Sequence, residues 1–272
     1  MGKQKKPPTP KKNCIFCGKT GVTKEHLWPD WLKNYIPIDS SSHTHTTQMS
    51  RLNYNTGMVR ESPIIKIQSG NLMAQKLRIV CDICNNEWMS RLQESAKPLL
   101  IPFIKGEWLD LNLHERGIVS AWLTMYTMVY EFKHPPTIVA SFEDRNLFRE
   151  RVLPPYNWFF WIGLNDGLWD KAHHKGLGLV DQLSKEIPEK CNIQSTTIAL
   201  NKLILHVVGG PRVVLIGSEL ERYNNSIKLQ RFWPPINTGF WGTRIKTLDK
   251  PNHIFTPGDC AAVGHALESF FA

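Results

Sequence analysis

Cys14-Ile15-Phe16-Cys17 and Cys81-Asp82-Ile83-Cys84 are two Cys-x-x-Cys pairs in a chain of 272 residues, with 63 residues between Cys17 and Cys81. Structural zinc takes four ligands in a tetrahedron, and each Cys-x-x-Cys turn presents two thiolates at a suitable separation. The two pairs therefore predict one structural zinc ion held by all four cysteines. Such a site would close the long intervening loop and bring together the residues beside each pair.

Side chains suited to catalysis stand next to both pairs. Glu25-His26 follows the first pair, and Asn85 directly follows the second. A carboxylate and an amide oxygen are hard ligands that suit Mg²⁺ or Mn²⁺. A neutral imidazole that titrates near neutrality suits a general base that activates water. We therefore predict that Glu25 and Asn85 hold a catalytic cation and that His26 is the base, with Asn86 as the alternative ligand.

The order of these motifs resembles a known family. The pattern Cys-x-x-Cys, then Glu25-His26-x-x-Pro29, then Cys-x-x-Cys-Asn85, is similar to that of the HNH endonucleases, which have a ββα-metal fold and a four-cysteine zinc knuckle. The resemblance covers about residues 13–98 and extends to bacterial and phage HNH proteins with a poorly described C-terminal domain. It implies DNA as the partner and phosphodiester hydrolysis as the reaction, in defence, phage or mobile-element biology.

The chain departs from the family pattern in two places. The acid before the histidine is usually Asp or His, whereas this chain has Glu25. The family also has a middle asparagine that holds the catalytic histidine, and the long insertion leaves its position open. The candidates are Asn53, Asn55 and Asn71.

A function of a different class is also consistent with the cysteine pairs. A zinc knuckle by itself can bind or scaffold, so the alternative is a catalytically inactive zinc-knuckle protein that binds nucleic acid. The two functions differ in one measurable property, because only the endonuclease cleaves a phosphodiester.

Charge and cysteine usage limit the class of protein. A net charge of +9 and a pI of about 9.3 favour a polyanionic partner, with nucleic acid ahead of a membrane surface, although excess lysine can also serve solubility alone. The chain starts with a lysine- and proline-rich stretch, and the apolar run 117–132 is too short to span a bilayer. We therefore expect a cytoplasmic protein with reduced thiols and no membrane partner.

Composition, together with the resemblance to the HNH endonucleases, divides the chain into three predicted parts. Residues 1–12 form a disordered basic arm, 13–105 an HNH-like ββα-metal domain with an inserted hairpin or loop at 38–75, and 106–272 a larger domain. The predicted fold class is α+β, and the larger domain combines an apolar helix with a mostly antiparallel sheet. That domain would recognise the substrate or form a homo-oligomer.

Periodicity and proline positions predict the individual elements. A helix begins at Asn86 and ends before Pro98, an apolar helix follows at 115–132, and a third helix lies at 144–151. The predicted strands are 77–80, 137–142, 158–164, 196–200, 202–208, 212–216 and 227–233.

Basic residues in and beside the HNH-like motif are candidates for contacts with DNA. Lys24, Arg78 and Arg91 are predicted to fill this role. In the second half, four arginines either contact phosphates or lie on a solvated face: Arg212, Arg222, Arg231 and Arg244.

Aromatic and histidine residues give further candidates. The aromatic residues of the second half either stack on bases or pack in the core, and core packing is favoured. His43 and His45 share one face of a predicted strand, but no partner ligand is near them. His173-His174 is predicted to lie in an exposed loop. The aromatic residues are Trp158, Phe159, Phe160, Trp161, Trp169, Phe232, Trp233, Phe240 and Trp241.

Overall fold

The structure is a computed structural model, and it describes residues 12–36, 44–53, 58–61, 66–69, 75–167, 172–180, 190–214, 219–235, 237–238 and 244–271. Over these residues the chain is a mixed α+β protein with a curled, mostly antiparallel sheet, which confirms the predicted class at that level. No helix within these ranges combines the length and the apolar character needed to cross a bilayer.

The N-terminal third builds a two-stranded ladder followed by a helix. β1 (Val22–His26) pairs antiparallel with β5 (Lys76–Cys81). A short 3-10 helix (Asp30–Asn34) follows β1. β5 leads without a break into the helical segment that begins at Asp82. The two cysteines of the second pair, Cys81 and Cys84, therefore lie where the strand becomes a helix.

The helix after β5 is longer than predicted at both ends. It consists of α1 (Asp82–Cys84), a π-helical turn (Asn85–Met89) and α2 (Ser90–Lys105). The prediction that it ends before Pro98 is wrong. Pro98 is exposed, so water can bond the carbonyl that the missing N–H leaves free, and apolar side chains along α2 are buried on both sides of the proline. These residues are Leu92, Ala96, Leu100, Phe103 and Ile104.

The apolar helix α3 (Leu113–Tyr130) is close to its predicted position. Asn112 caps it, because its side-chain oxygen accepts from the Glu115 amide at 3.0 Å while the Glu115 carboxylate accepts from the Asn112 amide at 2.8 Å. Nearly the whole circumference of α3 is buried. A helix of this kind lies between two packed layers and not on the surface.

A mixed sheet forms the larger part of the structure. Its strands are β2 (Thr44–Asn53), β3 (Met58–Glu61), β4 (Lys66–Ser69), β6 (Trp158–Asn165), β7 (Ala172–Val180), β8 (Ile193–Leu200), β9 (Leu203–Gly209), β10 (Gln230–Trp233) and β13 (Ile254–Phe255). Among the described residues the strand order is β10-β6-β9-β8-β7-β2-β3, with β13 beside β6 and β4 beside β2. A separate short pair consists of β11 (Asn237–Thr238) and β12 (Arg244–Ile245).

The insertion joins the sheet of the second half. β2 runs parallel to β7, from Thr46 opposite His173 to Asn53 opposite Val180. The remaining pairs in the sheet are antiparallel except for β13 with β6. The predicted boundary at 105/106 stays a prediction, but one continuous sheet includes strands from both sides of it.

Helices cover the two faces of this sheet. One face packs against α2 and α3 in a hydrophobic cluster that also contains the four-cysteine region. The other face packs against α5 (Leu220–Ile227) and α6 (Pro257–Phe271). Because both faces are covered, β8 and β9 are buried along their entire length.

Three predicted strands differ from the structure. Residues 137–142 are not a strand, because a 3-10 helix (Pro135–Thr137) occupies the start and α4 (Phe142–Arg151) begins at the end. A strand was predicted at 212–216, but residues 211–213 form a turn, and residues 215 and 216 lie outside the described residues. The strand predicted at 227–233 begins only at Gln230, since α5 extends to Ile227.

The prediction of an exposed loop at His173-His174 is wrong. Both residues lie in β7 and are buried. His174 Nδ1 lies 2.7 Å from Thr196 Oγ1, and the His173 ring lies 4.8 Å from the ring of His265 on α6. Alternation on β7 therefore sends the two imidazoles to opposite faces of the sheet, where each meets polar or aromatic groups.

Candidate functional site

Four cysteines form a compact cluster. The sulfur atoms of Cys14, Cys17, Cys81 and Cys84 all lie within 4.8 Å of one another, and Cys17 Sγ is 3.5 Å from Cys81 Sγ. Four thiolates around one zinc ion at about 2.3 Å would lie roughly 3.8 Å apart. The cluster therefore fits a metal ion such as zinc, as the spacing of the two pairs predicts.

The local backbone explains why the first pair can act as a ligand turn. The Gly18 amide donates to the Cys14 carbonyl at 3.0 Å, and Gly18 has a φ of 72°, which a glycine adopts without strain. Burial opposes ionisation of Cys14, but backbone N–H groups, including those of Cys17 and Phe16, lower the pKa of its thiol overall. A lowered pKa favours the thiolate, which is the form that binds metal.

Side chains from the π-helical turn and from α4 hold the first cysteine pair in place. The Trp88 ring packs edge-on against Phe16 at 5.0 Å and against Phe148 of α4 at 5.6 Å. Arg145, also on α4, donates through Nε to the carbonyl of Ile15 at 2.9 Å. The first cysteine pair is thus fixed by the core as well as by the metal that its thiols would bind.

The β1–β5 ladder connects Glu25 and His26 with the cysteine cluster. Val22 pairs with Cys81, Glu25 with Leu77 and His26 with Lys76. The register shifts between Thr23 and Glu25, so one extra residue of β5 lies in that interval. The two candidate catalytic residues therefore lie at the end of β1, one short ladder away from the four-cysteine cluster.

The environments of Glu25 and Lys76 are electrostatically linked. The Glu25 side chain is half-buried, and burial raises the pKa of its carboxyl to about 7, while the charge of Lys76 acts in the opposite direction. A nearby positive charge favours the carboxylate over the acid. A metal cation bound beside Glu25 would therefore lower the pKa of its carboxyl and favour the carboxylate form.

Three cations are exposed around His26. Lys76 lies opposite His26, and Lys24 and Arg78 are two residues from these positions on their own strands. Side chains alternate between the two faces along β1, so Lys24 shares the face of His26, and exposed Arg78 lies where β5 carries its extra residue. Lys24 and Arg78 form no ion pair with any residue that the structure describes. We call Lys24, Lys76 and Arg78 the basic face.

A cavity of about 20 Å³ lies beside Glu25 and His26. Gln93 of α2 borders it, and its Oε1 accepts from the indole N–H groups of Trp31 at 3.3 Å and Trp122 at 2.9 Å. Tyr126 of α3 also borders the cavity, and its buried hydroxyl has no hydrogen-bond partner among the described residues. This volume can hold about one water molecule.

The asparagines predicted as metal ligands stand apart from this cavity. Asn85 is half-buried at the start of the π-helical turn, and Asn86 is exposed and donates to Asp82 Oδ1 at 2.7 Å. The helical segment that follows β5 contributes two described residues to the lining of the cavity: Met89, which ends the π-helical turn, and Gln93, which lies one turn further on in α2. Glu25 and His26 are thus brought together with Gln93, while the described contacts join neither asparagine to Glu25.

The candidates for the middle asparagine lie at or beyond the edges of the described ranges. Asn53 ends β2 opposite Met58, and its side chain is outside the described part of the structure. Asn55 and Asn71 lie outside the described residues, as does His43, and the side chain of His45 is not described either.

The remaining arginines differ in their surroundings. Arg91 is exposed on α2 and Arg212 is exposed after β9. Arg222 pairs with Glu219 at 3.0 Å, and burial lowers the pKa of Arg231. The side chain of Arg244 is outside the described residues.

The aromatic residues of the second half mainly pack in the core, as predicted. Phe159 and Trp233 are half-buried. Trp169, Phe240 and Trp241 lie outside the described residues. The fully packed rings are Trp158, Phe160, Trp161 and Phe232.

Three residues near the site were not predicted: Lys76, Gln93 and Tyr126. Lys76 could be found from sequence by extending the antiparallel pairing back from Cys81 towards His26. Gln93 and Tyr126 carry no such signal, because their positions depend on how α2 and α3 pack against the ladder.

Comparison with protein-family models finds no matching family, and comparisons with curated proteins and with solved structures find no match either. The chemistry of the residues and their geometry are therefore the basis for assigning a function.

Proposed function

We propose that the protein is a metal-dependent DNA endonuclease of the HNH type. One observation carries the proposal: Glu25 and His26 end a strand whose partner strand ends in Cys81, a member of the four-cysteine cluster. A histidine, a carboxylate side chain and a four-cysteine cluster thus occur in one ladder followed by a helix, and this order supports the resemblance.

His26 is proposed as the general base. Its imidazole would accept the proton of the attacking water, and it is half-exposed at the end of β1, where solvent can reach it. The cysteine cluster would hold a structural zinc ion that fixes β5 and the following helix relative to β1.

Glu25 is proposed as a ligand of the catalytic cation. Its carboxylate is a hard oxygen donor, and Asn85, or Asn86 in its place, would supply the second protein ligand. When bound, Mg²⁺ or Mn²⁺ would neutralise charge on the phosphate and on the leaving 3′ oxygen.

The basic face is proposed to bind the DNA backbone next to the base. Lys24, Lys76 and Arg78 are exposed on the ladder that carries His26. Contacts with phosphates would set the register of the strand without reading its sequence. The net charge of +9 supports a polyanionic substrate.

Cleavage of plasmid DNA tests this function. The protein is incubated with supercoiled plasmid and Mg²⁺ or Mn²⁺, with EDTA as the negative control. We expect nicked or linear product from the parent protein and from His253→Ala, whose histidine lies near Asp259 of α6, and none from His26→Ala. Cleavage that survives His26→Ala would exclude the proposed base. Tight DNA binding with no cleavage of DNA or RNA would instead favour the non-catalytic zinc-knuckle protein.

A further inference from the structure

A groove of about 900 Å³ opens on the surface between α2, α3, the end of α4 and β10. Its size is in the range of sites that bind small molecules or single monomers of a polymer. The residues that define its character are Trp88, Arg91, Gly117, Ile118, Arg151 and Trp233.

The groove combines apolar walls with positive charge. Arg91 and Arg151 are both exposed on its lining, and neither forms an ion pair with a residue that the structure describes. No aspartate or glutamate is among the lining residues that the structure describes. Leu113 and Leu153, also in the lining, are 47% and 55% exposed. The complementary occupant has an apolar body and a negative group.

Trp233 gives the groove an aromatic wall. Its six-membered ring approaches α3 at Gly117, where an added Cβ would lie 3.8 Å from the ring atoms. Trp233 is only half-buried, so part of the indole remains available to a ligand. Trp88 is buried between Phe16 and Phe148 and forms the floor. An exposed indole favours a flat, aromatic ligand body.

The groove and the candidate active site lie on neighbouring sides of the same helices. Trp88 and Leu92 line the groove, whereas Met89 and Gln93 border the small cavity beside Glu25 and His26. The groove is therefore separated from the cavity beside Glu25 and His26 by the width of the helix that includes α2.

We propose that this groove binds one unpaired nucleotide of the nucleic-acid substrate, with the base against Trp233 and the phosphate near Arg91 and Arg151; this rests on the proposed function. Aromatic rings stack on any base, and arginine binds phosphate through a charged fork. In a duplex both faces of a base are covered by its neighbours, so a base can reach Trp233 only from a single-stranded or flipped position.

Fluorescence anisotropy of labelled DNA tests the inference. A fluorescein-labelled single-stranded oligonucleotide and the corresponding duplex are titrated with protein in buffer without added Mg²⁺ or Mn²⁺. We expect Trp233→Ala to weaken single-strand binding roughly tenfold, since it removes the ring on which one base would stack, and to change duplex binding less than twofold. Trp233→Phe should restore most of the single-strand affinity.

Arginine variants provide a second and independent readout. Arg151→Ala should weaken single-strand binding and lower its salt dependence, whereas Arg149→Ala should do neither, because Arg149 is on the same helix but pairs with Glu150 at 3.0 Å. Arg151 is exposed and Arg149 is partly exposed on α4, so neither change removes a core side chain, and the proposal can be tested even if Trp233→Ala fails to fold.

Three results would overturn the inference. The first is equal weakening of single-strand and duplex binding by Trp233→Ala, and the second is unchanged binding in both Trp233→Ala and Arg151→Ala. The third is displacement of the oligonucleotide by micromolar adenosine monophosphate, which would assign the groove to a free nucleotide. Failure of the proposed function is distinct. If the parent protein never cleaves plasmid and Trp233→Ala still weakens single-strand binding, the assignment of the groove stands and the proposed nuclease function fails.

Discussion

His26 lies directly opposite Lys76 in the antiparallel pair of β1 and β5. The candidate base therefore shares one face of the ladder with a cation, and Lys24 and Arg78 are exposed near it. This arrangement would place phosphates next to the imidazole, and it leads to a prediction about binding that is independent of catalysis.

Replacing two cations of the basic face should weaken DNA binding uniformly across sequences. In a Lys24→Gln, Arg78→Gln double variant, we expect the slope of log affinity against log salt concentration to become shallower by about 1.8, or about 0.9 for each lost phosphate contact on duplex DNA. Titrations at several salt concentrations measure the slope. The matched variant Lys228→Gln, Lys250→Gln changes two exposed lysines beyond α5 and should keep the parent slope. Equal slopes in all three proteins would show that Lys24 and Arg78 do not contact the phosphates of DNA.

The four-cysteine cluster predicts one zinc ion per chain. Cys81→Ser should lose the ion and unfold or melt far earlier, because structural zinc contributes on the order of 10 kcal/mol to folding. Elemental analysis of the purified protein and a thermal melt measure the two effects. Cys191→Ser is the control, since Cys191 is buried and its thiol donates to the Pro136 carbonyl at 3.3 Å, a bond that serine can also make. Zinc retained in Cys81→Ser would contradict the proposed ligand set.

The two indole bonds to Gln93 predict a stability effect. Gln93→Leu would leave the N–H groups of Trp31 and Trp122 without their shared acceptor, and Trp122 is fully buried. We expect a loss of about 1–3 kcal/mol in the free energy of unfolding, measured with urea. Glu94→Leu, next in the chain but exposed and paired with Lys97 on the surface, should change this energy by less than about 1 kcal/mol. Equal losses would mean that the bonds to Gln93 add nothing.

Buried histidines predict lower stability in acid. His206 Nδ1 lies 2.8 Å from the Thr197 hydroxyl, and its Nε2 lies 2.8 Å from the Tyr223 hydroxyl. Burial lowers the pKa of His206 to about 3, and it lowers the pKa of His174 to about 3 as well. Above about pH 6.5, where unfolded histidine is also neutral, their contribution to stability is complete. As the pH falls from there towards 3, only the unfolded chain takes up the protons, so each histidine removes about 1.4 kcal/mol of stability per pH unit.

Urea unfolding at pH 7 and pH 5 measures this effect. His206→Gln retains a polar partner for Thr197 but does not titrate, so its stability should fall by about 2 kcal/mol less than that of the parent over this interval. Acid release of metal affects both proteins and cancels in the difference. An identical fall in parent and variant would show that His206 does not stay neutral in the fold.

Local patterns predict most of the helices and the central strands. Aromatic and β-branched residues in β6 and the capped apolar run of α3 each specify their structure over a few residues. The passage of α2 through Pro98 could not be predicted, because burial of the residues on both sides outweighs the lost hydrogen bond. The parallel pairing of β2 with β7 joins segments far apart in sequence, and no local pattern indicates such a partner.

The candidate site shows the same division. The Cys-x-x-Cys spacing predicts the cluster, and the position of Glu25-His26 after the first pair predicts a site next to it. Which helix residues face Glu25 depends on the start and rotation of the helix. The π-helical turn Asn85–Met89 changes that rotation, so the cavity is bordered by Met89 and Gln93.

The location of the catalytic cation tests the central claim most directly. Crystals soaked in Mn²⁺ and measured with X-rays at the manganese absorption edge would show the ion by its anomalous signal. The proposed function predicts a peak within about 2.3 Å of a Glu25 carboxylate oxygen, absent from crystals of Glu25→Gln, with Asn85 or Asn86 as the second ligand. A protein that cleaves DNA with Mn²⁺ but binds the ion elsewhere, or shows the same peak in Glu25→Gln, would contradict it.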